Sequence, residues 1–185
     1  MTAVDYGSKV PVPSHDEINT GASPIHTYTI HAIFGTLPNL TADCSDGWQN
    51  VDRLKGKIKT EDVGPFLLTG HVEFLRSVRE VLAEVKATHP DLYAAIGTAG
   101  CLCFRHVRNF PGSPSNHACG LAVDLTFGGV LDDLGSSRCT RGSLALYGIA
   151  HRHKIFWGAG FARSDAMHFE MSDELVRLLF AQGKL

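Results

Sequence analysis

The chain has 185 residues, of which 44% are hydrophobic and 19% are charged, and its formal net charge is −2. These values are typical of a folded domain with a sizeable core and argue against a disordered chain. No run of Lys or Arg supplies the electrostatic footprint of a nucleic-acid-binding protein. No apolar run approaches the roughly 18 residues of a membrane span. We therefore expect a single domain over residues 1–185, with neither nucleic acid nor membrane as a partner.

The amino terminus, residues 1–17, has neither the basic start nor the apolar core of a secretory signal. We expect synthesis in the cytoplasm. If the substrate lies outside, release or delivery by another route is then required.

The five cysteines are an odd number and form no C-x-x-C pair. Free thiols are the leading interpretation, and one disulfide involving Cys44 or Cys139 is the alternative in an oxidising compartment. Cys119 follows His117 by two residues, so it is also a competing candidate for a metal ligand.

Residues 1 to about 60 carry the weakest pattern, and prolines and glycines interrupt them. The run Thr27–His31 alternates polar and apolar side chains, which predicts a short strand. We expect this region to wrap around the core without forming a domain of its own.

The clearest helix is predicted over residues 72–88. Leu75, Val78, Leu82 and Val85 recur at steps of three and four, and Pro90 closes the segment. This apolar stripe predicts core packing.

The second half alternates strand and helix patterns. Strands are predicted over 97–107, 121–127 and 166–171, a helix over 144–153, and a last helix from a Ser172 cap through Phe180. In the strand over 166–171, His168 and Glu170 share a face by the period of two. The order predicts an α+β fold with a small, mostly antiparallel sheet flanked by helices.

His117, Asp124 and His168 form a ligand set for zinc that leaves a fourth position open, as catalytic zinc sites do. On one straight strand, His117 and Asp124 would lie roughly 23 Å apart on opposite faces. The chain must therefore turn between them, and Gly120 permits such a turn. We expect His117 on a loop or strand end and Asp124 on the following strand. A surface histidine and a strand-edge carboxylate are the alternative interpretation of this pair taken alone.

A second carboxylate, Asp165, precedes His168 by three residues and follows a run of small residues that lets loops approach closely. A general base must reach the attacking water without occupying a ligand position. Asp165 meets this requirement.

These motifs resemble those of the zinc D-Ala-D-Ala peptidases, the group that also contains lysostaphin and hedgehog proteins. Residues 115–124 fit S-x-H-x-x-G-x-A-x-D, and residues 165–168 fit the later E/D-x-x-H. The branch with phage lysins and carboxypeptidase-like proteins similarly places a Trp-Gly-rich turn before Asp-x-Met-His-Phe-Glu. The resemblance covers roughly residues 60–171, and an arginine upstream of the first motif corresponds to Arg105.

The resemblance implies that His117, Asp124 and His168 bind one zinc ion and that Asp165 is the general base. It also implies that Arg105 stabilises the substrate oxyanion, with Arg108 as the weaker alternative. Ser115 and Glu170 are candidates for orienting a ligand or binding substrate. The remaining histidines fit no such set, although His106 is a candidate for the cleft wall.

The predicted function is a zinc-dependent peptidase acting on peptidoglycan stem peptides. The zinc chemistry follows from the residues, whereas the substrate follows from the resemblance. A D-alanyl-D-alanine carboxypeptidase and an endopeptidase that cuts L-Ala-D-Glu or a crosslink remain alternatives. A catalytically inactive, zinc-bearing cell-wall-binding module is the alternative from another class. A phage endolysin, a delivered antibacterial toxin with an immunity or delivery partner, and a remodelling enzyme would share this sequence pattern.

Overall fold

The computed structural model describes residues 4–185, which form an α+β fold with five α-helices and eleven β-strands. The helices are α1 (Thr27–Phe34), α2 (Val72–Thr88), α3 (Pro90–Ala95), α4 (Arg141–Arg152) and α5 (Asp173–Ala181). The strands are β1 (Lys9–Pro11), β2 (Ile58–Asp62), β3 (Leu67–His71), β4 (Ile96–Gly100), β5 (His106–Val107), β6 (Phe110–Pro114), β7 (Ala122–Phe127), β8 (Val130–Leu131), β9 (Arg138–Thr140), β10 (Ile155–Trp157) and β11 (His168–Met171).

The central sheet has five strands in the order β10-β11-β7-β4, with β8 paired to the end of β7. Three further two-stranded pairs join β1 to β9, β2 to β3, and β5 to β6. Every pairing is antiparallel. The predicted α+β class with a small antiparallel sheet is therefore confirmed.

One face of the central sheet packs against α2 and α4. Val123 of β7 and Phe169 of β11 point toward this face, where they meet Phe74 of α2 and Leu146 of α4. All four side chains are buried. Since neighbouring residues on a strand point to opposite faces, the alternate residues of β7 and β11 remain on the other face.

The helix α2 has the predicted bounds, and its stripe of Leu75, Val78, Leu82 and Val85 is buried as expected. His71 precedes this helix, and its Nδ1 accepts a hydrogen bond from the backbone N–H of Glu73 at 3.3 Å. The last helix, α5, likewise follows the predicted cap, because the Ser172 hydroxyl accepts from the N–H of Leu175.

The predicted strand over Thr27–His31 is wrong, because these residues begin α1. Ile30, Ile33 and Phe34 are buried at helical spacing, and this stripe extends beyond the short alternating run. The predicted strand over 97–107 is only partly correct. Strand β4 ends at Gly100, and residues 101–105 are irregular apart from an isolated bridge between Phe104 and Ser45.

The amino-terminal region contacts the rest of the fold at several points. Strand β1 pairs with β9. Asn19 exchanges two hydrogen bonds with the backbone of Trp157, one from its amide and one to its side-chain oxygen. Buried side chains from Ile18 to Leu179 belong to one hydrophobic cluster.

A disulfide joins Cys44 to Cys103. The structure therefore confirms the second interpretation of the cysteines, in which Cys44 forms one disulfide. The other three, Cys101, Cys119 and Cys139, are buried free thiols. Burial raises the pKa of the Cys119 thiol, and Cys119 is not part of the cluster that His117, Asp124 and His168 form.

Among residues 4–185, no helix has the length and apolar character needed to cross a bilayer.

Candidate metal centre

Two neighbouring strands carry two of the predicted ligands. Asp124 of β7 lies directly opposite His168 of β11 in the antiparallel register. Both side chains project from the sheet face that α2 and α4 leave uncovered, and Glu170 follows His168 on that face. The period of two, which predicted this arrangement for His168 and Glu170, therefore also brings in Asp124.

His117 reaches the same point from a single turn of 3₁₀ helix over Asn116–Cys119. Gly120 ends this turn with φ of 65°, and β7 begins two residues later. A Cβ on Gly120 would lie 2.6 Å from the backbone nitrogen of His71, so the position also requires a close approach between backbones. The predicted turn at Gly120, with His117 before the strand and Asp124 on it, is confirmed.

Three ligand atoms converge in this centre. The Nε2 atom of His117 lies 3.1 Å from Nδ1 of His168, and Oδ1 of Asp124 lies 3.4 Å and 3.3 Å from these two nitrogens. The other ring nitrogens are engaged elsewhere. His117 Nδ1 donates to the carbonyl of Cys101 at 2.6 Å, and His168 Nε2 donates to Glu170 Oε2 at 2.7 Å. In its neutral form, each imidazole therefore directs a lone pair toward the centre.

These separations fit a tetrahedral zinc ion. With zinc–ligand distances of about 2.0–2.1 Å, ligand atoms at the corners of a tetrahedron lie about 3.3 Å apart. Oδ1 of Asp124 is buried without a hydrogen-bond donor in the described part of the chain. A cation bound by all three atoms would remove the free-energy cost of burying this unpaired oxygen beside the lone pairs of the two imidazoles.

The electrostatics of the centre favour positive charge. Burial raises the pKa of Asp124, but the two facing imidazoles outweigh burial and hold that pKa well below its usual range. Burial lowers the pKa of His168, but the carboxylates of Asp124 and Glu170 outweigh it and raise that pKa. Asp124 is thus anionic, and a positive charge between it and His168 is stabilised.

Glu170 is fully buried and has a complete set of donors. Its Oε1 accepts from the backbone N–H of Ile25, and its Oε2 accepts from the Asn116 amide and from His168. This arrangement fixes the orientation of the His168 ring. Ser115 lies at the edge of the same cavity, but its hydroxyl makes no hydrogen bond to a ligand residue within residues 4–185.

Asp165 lies in the loop before β11, close to the ligand set. Its backbone N–H donates to Gly158, where a Cβ would come within 2.6 Å of the Asp165 carbonyl oxygen. The small residue at position 158 therefore allows the loop to approach, as the sequence predicted. Oδ1 of Asp165 is buried without a donor in the described chain. Burial is the main reason that the pKa of Asp165 lies above its usual value.

A cavity of about 660 Å³ opens over the three ligand atoms, and Asp165, Arg105 and Glu170 share its lining. Arg105 is half-buried, and its guanidinium donates to the carbonyl of His106 at 2.9 Å. The side chain of His106 bonds to the Val107 carbonyl and is not part of the lining described for this cavity.

Sequence reasoning missed two contributors to the centre. Asn116 bonds to Glu170, and the backbone carbonyl of Cys101 orients His117. Asn116 lies inside the first motif, and this position could have indicated that it contributes to the site. An asparagine by itself does not indicate such a role. The Cys101 contact comes through the backbone and leaves no mark on residue type.

An open ligand set of two histidines and one aspartate, beside a free carboxylate and an arginine in one cleft, is the arrangement of a metal-dependent hydrolase. Residues 109–171, about a third of the chain, match the family model described as D-alanyl-D-alanine carboxypeptidase. This match confirms the family resemblance over that segment, which contains all three ligands and Asp165. It indicates a zinc-type peptidase acting on peptidoglycan-type substrates. No curated protein matches the chain.

Proposed function

We propose that this protein is a zinc-dependent peptidase that hydrolyses peptidoglycan stem peptides. The observation that carries the proposal is the convergence of three ligand atoms at 3.1–3.4 Å beneath a cavity that Asp165 and Arg105 also line. We further propose that residues 1–185 form one peptidase domain of the hedgehog and D-Ala-D-Ala-peptidase type.

His117, Asp124 and His168 would hold the ion, which when bound supplies the Lewis acidity that polarises a carbonyl and a water molecule. The Asp165 carboxylate accepts a proton from the attacking water and delivers it to the leaving amine. The Arg105 guanidinium donates to the carbonyl oxygen as that oxygen gains negative charge. Glu170 and the Cys101 carbonyl keep both imidazoles oriented throughout.

The scissile bond is either a terminal D-Ala-D-Ala bond or an internal bond such as L-Ala-D-Glu or a crosslink. In either case the protein acts at the cell wall or in the periplasm. The role as phage endolysin, antibacterial toxin with an immunity or delivery partner, or remodelling enzyme depends on how the protein reaches the wall.

Digestion of purified sacculi, followed by mass spectrometry, tests the function. We expect stem-peptide fragments that disappear with a chelator and return with zinc. Loss of a D-Ala mass marks a carboxypeptidase, and new amino termini or split crosslinks mark an endopeptidase. Casein should resist cleavage, because polar groups built for one stereochemistry stay unpaired with the other.

The variant His168→Ala should lose both zinc and activity, whereas His15→Ala, which changes an exposed histidine outside the cavity, should retain both. Zinc retention in His168→Ala would contradict the ligand set. Sacculus binding without any cleavage would favour the inactive binding module, and cleavage of casein alone would overturn the cell-wall substrate.

A further inference from the structure

Two arginines in the cavity have no role in the chemistry described above. Arg108 and Arg163 line the same cavity as the metal centre, and both side chains are exposed. The chain has ten arginines. Within residues 4–185, these two alone make neither a hydrogen bond nor a salt bridge through their guanidinium groups. The others bond to carboxylates, to backbone carbonyls or to a hydroxyl.

Local structure places both arginines at the cavity. Arg108 occupies the two-residue turn between β5 and β6, and its neighbour Asn109 adopts the positive φ of 66° that closes the turn. The Arg163 side chain packs over Gly135, where a Cβ would lie 3.2 Å from its Nε atom. A hydrogen bond of 2.6 Å from the Gly135 N–H to the Ser164 carbonyl ties the two loops together.

Within residues 4–185, no carboxylate of the cavity forms a salt bridge with Arg108 or Arg163. Glu170 is saturated by its three donors, and Asp124 faces the two imidazoles. The lining holds three arginines and three acidic residues, so a bound divalent ion makes its net charge positive. Arg105 and Arg108 line the same cavity, and burial together with the charge of Arg108 lowers the pKa of Arg105. Such a cavity attracts anions.

We propose that Arg108 and Arg163 bind a carboxylate of the peptide substrate, so that hydrolysis favours peptides with a free carboxylate near the scissile bond. A guanidinium group matches a carboxylate with two parallel N–H donors. Apolar side chains share this part of the lining and suit small methyl-bearing residues: Val107, Phe110, Leu131 and Leu134. This inference rests on the proposed function and specifies its substrate class.

The carboxylate has two sources in a peptide of this kind. It is the α-carboxylate of a terminal residue if that residue is released, or the free carboxylate of an internal glutamate. The test therefore uses two substrate pairs. One pair differs by an acid or amide at the carboxyl terminus, and the other by Glu or Gln next to the scissile bond.

The kcat/KM of each pair is measured for the wild type, Arg108→Gln, Arg163→Gln and the double variant. The wild type should favour the acid by about 10- to 100-fold, as expected for one charge-assisted hydrogen bond. The variants should lose most of this preference, because KM rises more for the acid than for the amide. Arg76→Gln, which changes an arginine on α2 outside the cavity, should keep the wild-type preference. The substrate pair for which the variants lose the preference for the acid identifies which carboxylate the arginines bind.

Equal hydrolysis of acid and amide by the wild type would overturn the inference, as would variants that lose activity equally on both members of a pair. If the wild type hydrolyses neither peptide, the proposed function has failed. Calorimetry on the zinc-loaded protein, which does not consume the peptides in that case, still decides the inference. Tighter binding of the acid, lost in both Arg→Gln variants, supports it, and equal binding of acid and amide contradicts it.

Discussion

Asp165 and Glu170 line one cavity, but their surroundings prepare them for different tasks. Three donors saturate Glu170, which therefore serves to hold His168. The buried Oδ1 of Asp165 has no donor among the described residues, and burial raises its pKa. An anionic oxygen with a raised pKa and no partner is suited to accept a proton.

The substitution Asp165→Asn removes this basic oxygen with little change in shape. We expect hydrolysis of stem peptides to fall by about 10²–10⁴-fold, the usual cost of losing a positioned general base. The zinc content should stay unchanged, because the ligand atoms belong to other residues. Metal analysis and peptide turnover on the same preparation check this. Loss of zinc in Asp165→Asn would make Asp165 a ligand and refute the assigned role.

Arg105 is the half-buried arginine of the cavity, and its guanidinium uses one donor on the carbonyl of His106. The variant Arg105→Ala should lower turnover by about 10²–10³-fold, by analogy with the loss of one oxyanion donor. Arg105→Lys should recover only part of this loss, because an ammonium group lacks the planar fork. Single-turnover rates measure the effect. Near-normal rates in Arg105→Ala would transfer the stabilisation to Arg108 or to the metal ion alone.

At the scale of elements, His71 at the start of α2 couples folding to pH. Its side chain is fully buried, and Nε2 has no hydrogen-bond partner within the described chain. Burial, helped by the charge of Lys57, lowers the pKa of His71 to about 4. The neutral form is therefore the one that the folded protein accepts.

A histidine with a depressed pKa contributes stability that is present above pH 6.5 and lost as the pH falls toward 4, because only the unfolded chain then binds the proton. Between pH 7 and pH 5 the free energy of unfolding should fall by about 2 kcal/mol through this group. His71→Asn keeps an acceptor for the Glu73 N–H but does not titrate. Urea unfolding of the metal-free wild type and of metal-free His71→Asn at pH 7 and pH 5 isolates the contribution of His71 to the free energy of unfolding. If the free energy of unfolding changed equally with pH in the wild type and in the variant, this role of His71 would be contradicted.

Sequence patterns predicted elements well where one stripe or face was long. The 17-residue helix α2 was predicted from four apolar residues at helical spacing over positions 75–85 and from the proline that follows the helix. The five residues Thr27–His31 were too few to separate a period of two from a helical period, and the buried Ile33 and Phe34 lie beyond them. Residues 101–105 look strand-like, but they serve as a connector whose backbone bonds to His117 and to Ser45.

At the scale of the whole molecule, the Cys44–Cys103 disulfide links the amino-terminal region to this connector. The backbone of Ser45 bonds to Phe104, and the Cys103 N–H donates to the carbonyl of His117. The bridge closes a segment with a sequence separation of 59 residues, which corresponds to about 4 kcal/mol of loop entropy in the unfolded chain.

Reduction of the wild type should therefore lower the free energy of unfolding by about 4 kcal/mol, because the unfolded chain regains that entropy. Denaturant unfolding with and without a reductant measures the change. The double variant Cys44→Ser/Cys103→Ser should match the reduced wild type and should not respond to the reductant. An unchanged midpoint on reduction would show that the bridge contributes nothing to stability.

The convergence of His117, Asp124 and His168 was predictable from the sequence because each lies inside a short motif with fixed spacing. The partners that complete the site were not predictable, since they come from distant segments. The Ile25 N–H meets Glu170, the Cys101 carbonyl meets His117, and Gly135 packs under Arg163 only after the chain has folded. Pairing among five cysteines is undetermined by spacing for the same reason.

The two histidines proposed as ligands face the centre through different ring nitrogens, Nε2 in His117 and Nδ1 in His168. With zinc bound, the site would contain both imidazole tautomers side by side, because hydrogen bonds keep a proton on Nδ1 of His117 and on Nε2 of His168. Nitrogen-15 NMR distinguishes these tautomers by their ring correlations. On titration with zinc, the Nε2 resonance of one ring and the Nδ1 resonance of the other should shift. The spectrum would thus identify each ligand atom without any substitution.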